Sequence, residues 1–191
     1  MRIQYKVICV VIYIITITIC TGWSTPIVEY PMVATHNSAT SYLSDGLVNR
    51  WVKCQSKSIY EQLLCGVRFL FLSVTVVGDK LVMSHGAVLI PVSFDDVVDE
   101  IVRFTRHYPE SLVFVDISKC FGANCNELVR NYIEVNALGQ WIDSSEGCFS
   151  SGITYHQLKE MARIHTGGSI VFVHDQCVRE NWVPDIGMLS W

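Results

Sequence analysis

His36 and His85 each stand directly after a short β-prone run, Met32 to Thr35 and Leu81 to Ser84. Two imidazoles on one rim could share general-base and general-acid work, because each titrates near neutral pH and can serve either role. Asn37 follows His36 at once, and other polar side chains close comparable runs. Ser73 and Thr75 lie late in 67–77, Asp116 and Lys119 lie at or just past the end of 111–117, and His174 with Asp175 ends 169–174. In a parallel α/β fold, functional groups gather at these carboxyl ends of strands. Spacing alone also fits a blander reading, in which each histidine satisfies a backbone carbonyl where its strand stops. His107, His156 and His165 lie in or beside helical segments and read as solvated surface residues. Asp95 and Asp96 read as favourable charge at a helix N-terminus rather than as a catalytic dyad.

The elements that would position these groups alternate. Four segments open with a polar cap, carry Glu, Asp or Gln three residues on, and then repeat apolar residues at helical spacing. Ser58 with Glu61 opens a short helix that Gly66 ends. Ser93 with Asp96 opens a longer one, with Phe94, Val97, Val98, Ile101, Val102 and Phe104 on one face. Asn124 with Glu127 starts a third that buries Leu128, Val129, Tyr132 and Ile133. Thr154 with Gln157 starts a fourth, with Leu158, Met161 and Ala162 inward and Gly167 as its stop. The β-prone runs between them are Met32–Thr35, Val67–Val77, Leu81–Ser84, Ser111–Ile117 and Ser169–His174. Those at 111–117 and 169–174 are apolar on both faces, the pattern of parallel strands covered on both sides. Gly78–Asp79 is too short to join anything but antiparallel strands, so a hairpin extends the second run. The alternation predicts an α/β protein, either a βα barrel or a doubly wound sheet.

Composition bounds the rest. With 191 residues, 50% hydrophobic and 17% charged, the chain can bury the core of one domain, and it shows no repeat or linker that would mark a second. A net charge of −4 leaves no basic surplus for holding nucleic acid. Arg2 and Lys6 precede an uncharged stretch from Val7 to Cys20 and the small residues Thr21 and Gly22. This reads as a signal peptide over 1–22, with an uncleaved anchor through residues 7–20 as the competing reading. Both put residues 23–191 in an oxidising compartment, secreted or membrane-anchored. Six cysteines remain there, with no zinc-type spacing, so disulfides or buried thiols are expected rather than a metal site. Cys120 with Cys125 is the expected pair.

Four stretches in order carry a resemblance: Ala34-Thr35-His36-Asn37-Ser38-Ala39-Thr40; Trp51-Val52-Lys53-Cys54-Gln55 with Ser58-Ile59-Tyr60-Glu61-Gln62-Leu63; Gly66-Val67-Arg68-Phe69-Leu70; and Ser84-His85-Gly86. Together they resemble the phosphatidylinositol-specific phospholipase C X-domain family. Tyr108-Pro109-Glu110, Thr154-Tyr155-His156-Gln157-Leu158 and Trp182-Val183-Pro184 extend the likeness over roughly residues 30–191. The resemblance implies a distorted TIM-type βα barrel of the phospholipase C-like phosphodiesterase kind. It also implies phosphodiester cleavage by neighbouring-group attack. The residue matching His36 deprotonates the inositol 2-hydroxyl, the one matching His85 protonates the departing alkoxide, and the one matching Asn37 orients the site or, in animal-type members, binds calcium.

Two departures qualify the implication. The family places an arginine, or a pair of acidic calcium ligands, late in the second strand, and Phe71 and Ser73 stand there instead. No metal or other cofactor is therefore expected. Arg68 should point to the opposite face of its strand. Lys119 is the candidate replacement cation at the rim, and Asp116 is a further candidate for orienting substrate. Residues 23–191 are also short of the ~250 residues of a complete barrel. An apparently incomplete barrel leaves a sheet edge for a second copy or another partner to cover. The expected ligand is a phospholipid or inositol phosphate headgroup, met at a membrane surface. The functional expectation is a phosphoric diester hydrolase acting on phosphoinositide or related phospholipid. The alternative is a catalytically impaired relative that binds headgroup or protein.

Overall fold

The computed structural model describes residues 24–46, 49–143 and 152–174. The leader or anchor expected over 1–22, Cys148, Asp175, Cys177 and the stretch 182–184 lie outside the described residues. Seven strands form one sheet: β1 Val33–Thr35, β2 Val67–Val77, β3 Lys80–His85, β4 Val88–Ser93, β5 Leu112–Phe121, β6 Gln140–Ile142 and β7 Ser169–His174. Five helices accompany them: α1 Asn49–Val52, α2 Ile59–Leu64, α3 Phe94–His107, α4 Cys125–Val135 and α5 Tyr155–Met161. The order across the sheet is β4-β3-β2-β5-β7-β6, with β1 pairing the first part of β2. β1, β2, β5, β7 and β6 run parallel, while β2, β3 and β4 meander antiparallel. The strands of the described residues form a distorted βα barrel wall.

Successive strand residues point to opposite faces, and two cores follow. Leu70, Leu72, Val74, Val115, Ile117 and Phe172 face outward onto α2, α3 and α4. Ala34, Phe69, Phe114, Val171 and Val173 face inward, with Phe71 and Ile142 at the margin. Phe69 and Phe114 stack with centroids 5.8 Å apart. Full burial of each such ring contributes roughly 1.5–3 kcal/mol. The paired parallel strands β5 and β7 are covered on both sides, which is why their sequences are apolar without alternation.

The expected capping boxes form at Ser58/Glu61, Ser93/Asp96 and Thr154/Gln157, each with both reciprocal hydrogen bonds. Asn124 is different: it is left-handed (φ 55°) and its side chain makes no capping bond. It closes the loop of the Cys120–Cys125 disulfide, and that loop sets its backbone. In α4 the buried stripe is Cys125, Val129 and Ile133, so Leu128, one residue (about 100°) off that stripe, is exposed rather than buried. In α5 Met161 is exposed and the aliphatic stem of Lys159 is buried in its place, its ammonium paired with Glu110. Gly167 does not end α5, which stops at Met161. It leads instead into the turn before β7, where Gly168 (φ 75°) has no room for a Cβ, since one would stand 2.5 Å from the Thr105 Cβ. β4 and β6 have no counterpart among the sequence-expected runs.

Candidate active site

β1 ends at Thr35, and the chain turns sharply through Asn37, which is left-handed (φ 47°, ψ 52°), into a 3-10 turn over Ser38–Tyr42. Asparagine tolerates this backbone better than most residues. Buried hydroxyls and amides then fix the turn. Ser38 Oγ donates to the Thr35 carbonyl (2.7 Å) and accepts from the Phe71 amide (3.1 Å) and the Thr35 hydroxyl (2.9 Å). Thr40 Oγ1 donates to the Asn37 carbonyl (2.8 Å) and accepts from the amides of Cys54 and Gln55. Gln55 Nε2 donates to the His36 carbonyl (2.9 Å), and Gln62 Nε2 donates to the carbonyls of Ser38 (2.8 Å) and Lys57 (2.7 Å). Thr35, Ser38, Thr40, Gln55 and Gln62 are all buried, and their hydroxyls and Nε2 groups make these bonds. With its backbone held from below, the turn projects the side chains of His36 and Asn37.

His36 is exposed at the rim and Asn37 is half-buried. Asn37 Nδ2 lies 3.0 Å from His85 Nε2 and 3.6 Å from Cys54 Sγ. His85 ends β3, next to the turn at Gly86 (φ 60°) that leads into β4. Its Nδ1 is buried and has no hydrogen-bond partner among the described residues. When Nε2 accepts from the Asn37 amide, the ring proton sits on Nδ1.

Partial desolvation of the otherwise exposed His36 ring is the main reason its pKa lies below the ordinary imidazole value, and the charges of His85 and Lys119 lower it further. A lowered pKa keeps the imidazole neutral at neutral pH, the state that accepts a proton. The Lys119 contribution also puts that ammonium within electrostatic reach of His36.

Lys119 lies opposite Ser73, and Asp116 opposite Phe71, on neighbouring strands. Phe71, Ser73, Asp116 and Lys119 thus share the inner face, with Asp116 buried one layer below Lys119. The structure therefore brings His36, Asn37, His85 and Lys119 to one rim. Arg68 lies on the other face, donating to the carbonyls of Leu63 and Val67 and sitting 4.8 Å over the Phe104 ring. His174 turns outward beside Trp141.

Phe71 packs 4.9 Å from Phe69 and offers no oxygen, while Ser73 offers one hydroxyl. A hard cation needs several oxygen ligands, and these residues do not fit the calcium site of animal-type members. Among the described residues, two surface grooves, of about 600 Å³ beside Leu81, Leu128 and Tyr132 and about 690 Å³ beside His156 and Met161, lie away from the rim. Sequence reasoning named the residues that project and missed those that brace: Ser38, Thr40, Gln55 and Gln62. Their signal was their place inside the resembling stretches.

The family model for the phosphatidylinositol-specific phospholipase C X domain matches residues 23–137. A PI-PLC X domain-containing protein of Dictyostelium discoideum is 36% identical over 69 residues, 35% of this chain and 12% of that protein. A phosphatidylinositol-specific phospholipase C of Staphylococcus aureus superposes with a TM-score of 0.63 at 19% identity, covering 80% of this chain and 49% of that one. The phosphatidylinositol-specific phospholipase C of Listeria monocytogenes superposes with a TM-score of 0.57 at 16% identity, covering 85% of this chain and 57% of that one. The chain thus spans about half the length of these bacterial structures. At such identities the superpositions establish a common fold.

Proposed function

The chain belongs to the phosphatidylinositol-specific phospholipase C X-domain family, and from that premise we propose that it cleaves the phosphodiester of a phosphoinositide or related phospholipid by histidine acid–base chemistry. The observation that carries this is the convergence of His36, Asn37, His85 and Lys119 on one rim, where the surroundings of His36 favour its neutral form. Neutral His36 takes the proton of the inositol 2-hydroxyl, and that oxygen forms a bond to phosphorus. The bond from phosphorus to the diacylglycerol oxygen breaks, and His85 supplies the proton that oxygen needs, leaving a cyclic inositol phosphate and free diacylglycerol. For that delivery His85 must be the imidazolium, with protons on both ring nitrogens, and giving up the Nε2 proton returns it to neutral imidazole. A half-turn of the Asn37 amide presents Oδ1 to Nε2–H and orients that proton without moving the ring. Lys119 offsets the charge that develops on the phosphoryl oxygens, the role that electrostatic stabilisers fill in most such sites. Asp116, beneath it, orients the ring hydroxyls.

The substrate is met at a lipid surface. α1 follows the rim loop and carries Trp51, 91% exposed, beside Arg50, and an amphipathic ring flanked by a cation suits a lipid–water interface. This chemistry requires no metal.

A second reading draws support from the packed Phe71 ring, which stands where the family keeps a charged group. In it, the rim binds an inositol phosphate headgroup without turnover, and a second copy or another protein covers the edge of the sheet. Loss of one charged stabiliser costs roughly 10²–10³ in rate, enough to separate a binder from an enzyme.

Release of inositol phosphates from phosphatidylinositol vesicles, by the protein and by His36→Ala, with calcium or with EDTA, distinguishes the two. Calcium-independent turnover that disappears in His36→Ala is expected. Folded protein that gives no release, yet is stabilised by inositol phosphate, would replace the first reading with the second.

A further inference from the structure

Lys119 would face the wrong way in an unbroken β5, and a single extra residue turns it round. From Phe69 to Leu72 the register with β5 advances one for one, with Phe71 opposite Asp116 and Leu72 opposite Ile117. Ser73 then lies opposite Lys119 and Val74 opposite Cys120. Ser118 is the bulged residue, without a partner in the ladder, and its hydroxyl donates to the Leu72 carbonyl (3.0 Å). Among the described residues, the pairing of β5 with β7 runs one for one from Leu112 opposite Ser169 to Ile117 opposite His174, before the bulge.

Residues opposed across a sheet point to the same face. Ser73 follows Phe69 and Phe71 on the inner face, so Lys119 does too. Val74 is in the outer core, and Cys120, its partner, packs against that core and bonds Cys125 at the start of α4. The loop between the cysteines lies on β2, where a Cβ at Gly122 (φ 105°) would stand 3.0 Å from the Val76 Cβ. If Ser118 instead paired with Ser73 as an ordinary strand residue, Lys119 would fall opposite Val74, facing the helices, and Cys120 would turn inward, away from Cys125. An inward Lys119 and an outward Cys120 are one structural choice.

We propose that Ser118 and the Cys120–Cys125 disulfide act together as positioning elements that aim the Lys119 ammonium at the bound phosphate. Bulges re-aim side chains in this way; here the hydroxyl of the extra residue ties it to β2, and the disulfide fixes the register beyond it. The role of Lys119 towards phosphate rests on the functional reading above, but its direction does not. The electrostatic contribution of Lys119 at His36 agrees with the inward placement.

NMR titration of the His36 ring in the full chain reads that direction without any turnover. Lys119→Met should raise the His36 midpoint. Ser118→Ala and the double variant Cys120→Ser/Cys125→Ser, which free the strand to pair residue 118 with Ser73, should shift the midpoint in the same direction, and Ser118→Thr should restore it. Deletion of Ser118 is the control: Lys119 then follows outward-facing Ile117 directly and stays opposite Ser73, so the parental midpoint should persist and alkylation mass spectrometry should find Cys120 and Cys125 still paired. Binding of myo-inositol 1-phosphate should weaken about ten-fold in Lys119→Met. An unchanged midpoint in both Ser118→Ala and the double cysteine variant overturns the proposal, and so does a folded deletion variant whose midpoint rises as far as that of Lys119→Met. Absence of inositol phosphate binding by the parent protein would instead refute the reading of function and leave the His36 comparison to judge the positioning.

Discussion

Replacing Ser38 by alanine removes one oxygen that closes three hydrogen bonds at the base of the His36–Asn37 turn. Its single proton goes to the Thr35 carbonyl, and its two lone pairs receive the Phe71 amide and the Thr35 hydroxyl. The Thr35 hydroxyl can rotate to another acceptor, but the Phe71 amide cannot move. It lies in β2 just past the last residue paired with β1, so the serine hydroxyl stands in where the β1 ladder ends. Leaving one buried donor unsatisfied costs about 1–3 kcal/mol, and losing the bond to the Thr35 carbonyl adds about 1 kcal/mol. Ser38→Ala should therefore destabilise the chain by about 2–4 kcal/mol, or roughly 5–15 °C in Tm at this chain length. Urea unfolding followed by circular dichroism measures the change as a shift of midpoint at constant slope. Because the same bonds hold the backbone that carries His36 and Asn37, vesicle hydrolysis measured well below the new Tm should fall as well. A loss under 0.5 kcal/mol, with full activity, would refute the claim that this hydroxyl holds the turn.

Lys119→Met should raise the His36 pKa by removing one of the charges that lower it. His36 must be neutral to act as base, so the acid limb of the kcat/KM profile should move to higher pH, and an unmoved limb would separate Lys119 from His36. Phe114→Ala opens the inner core between Phe69 and the β7 valines and should cost about 3–5 kcal/mol by chemical denaturation; a cost below 1 kcal/mol would mean that this face is not packed as described. Trp51→Ala should weaken sedimentation with phosphatidylinositol vesicles while leaving hydrolysis of water-soluble cyclic inositol phosphate unchanged, and equal losses in both assays would move Trp51 from the lipid surface into the site.

What could be read from the sequence was what is local. A capping box spans four residues and is complete within them, so Ser58, Ser93 and Thr154 were legible at once. Asn124 has the same pattern in sequence, but the disulfide that closes its loop dictates its backbone. β6 spans only Gln140–Ile142, too short to show a period, and exists because β7 offers it an edge. His36 and His85 were legible because each marks the end of a strand, His36 just after β1 and His85 as the last residue of β3, so their rim position needs no counting. Arg68 was legible because β2 carries no extra residue of its own between it and Ser73, and alternation holds. Lys119 shows where counting fails. Two residues past outward-facing Ile117, strict alternation would send it outward too, and the bulge at Ser118 reverses the result. That bulge is a relation between two strands, fixed by a hydroxyl on the Leu72 carbonyl and a disulfide to α4, and no periodicity within β5 encodes it. The acid–base pair follows from strand ends that the chain writes locally, whereas the direction of the charge beside it is decided only when the sheet assembles.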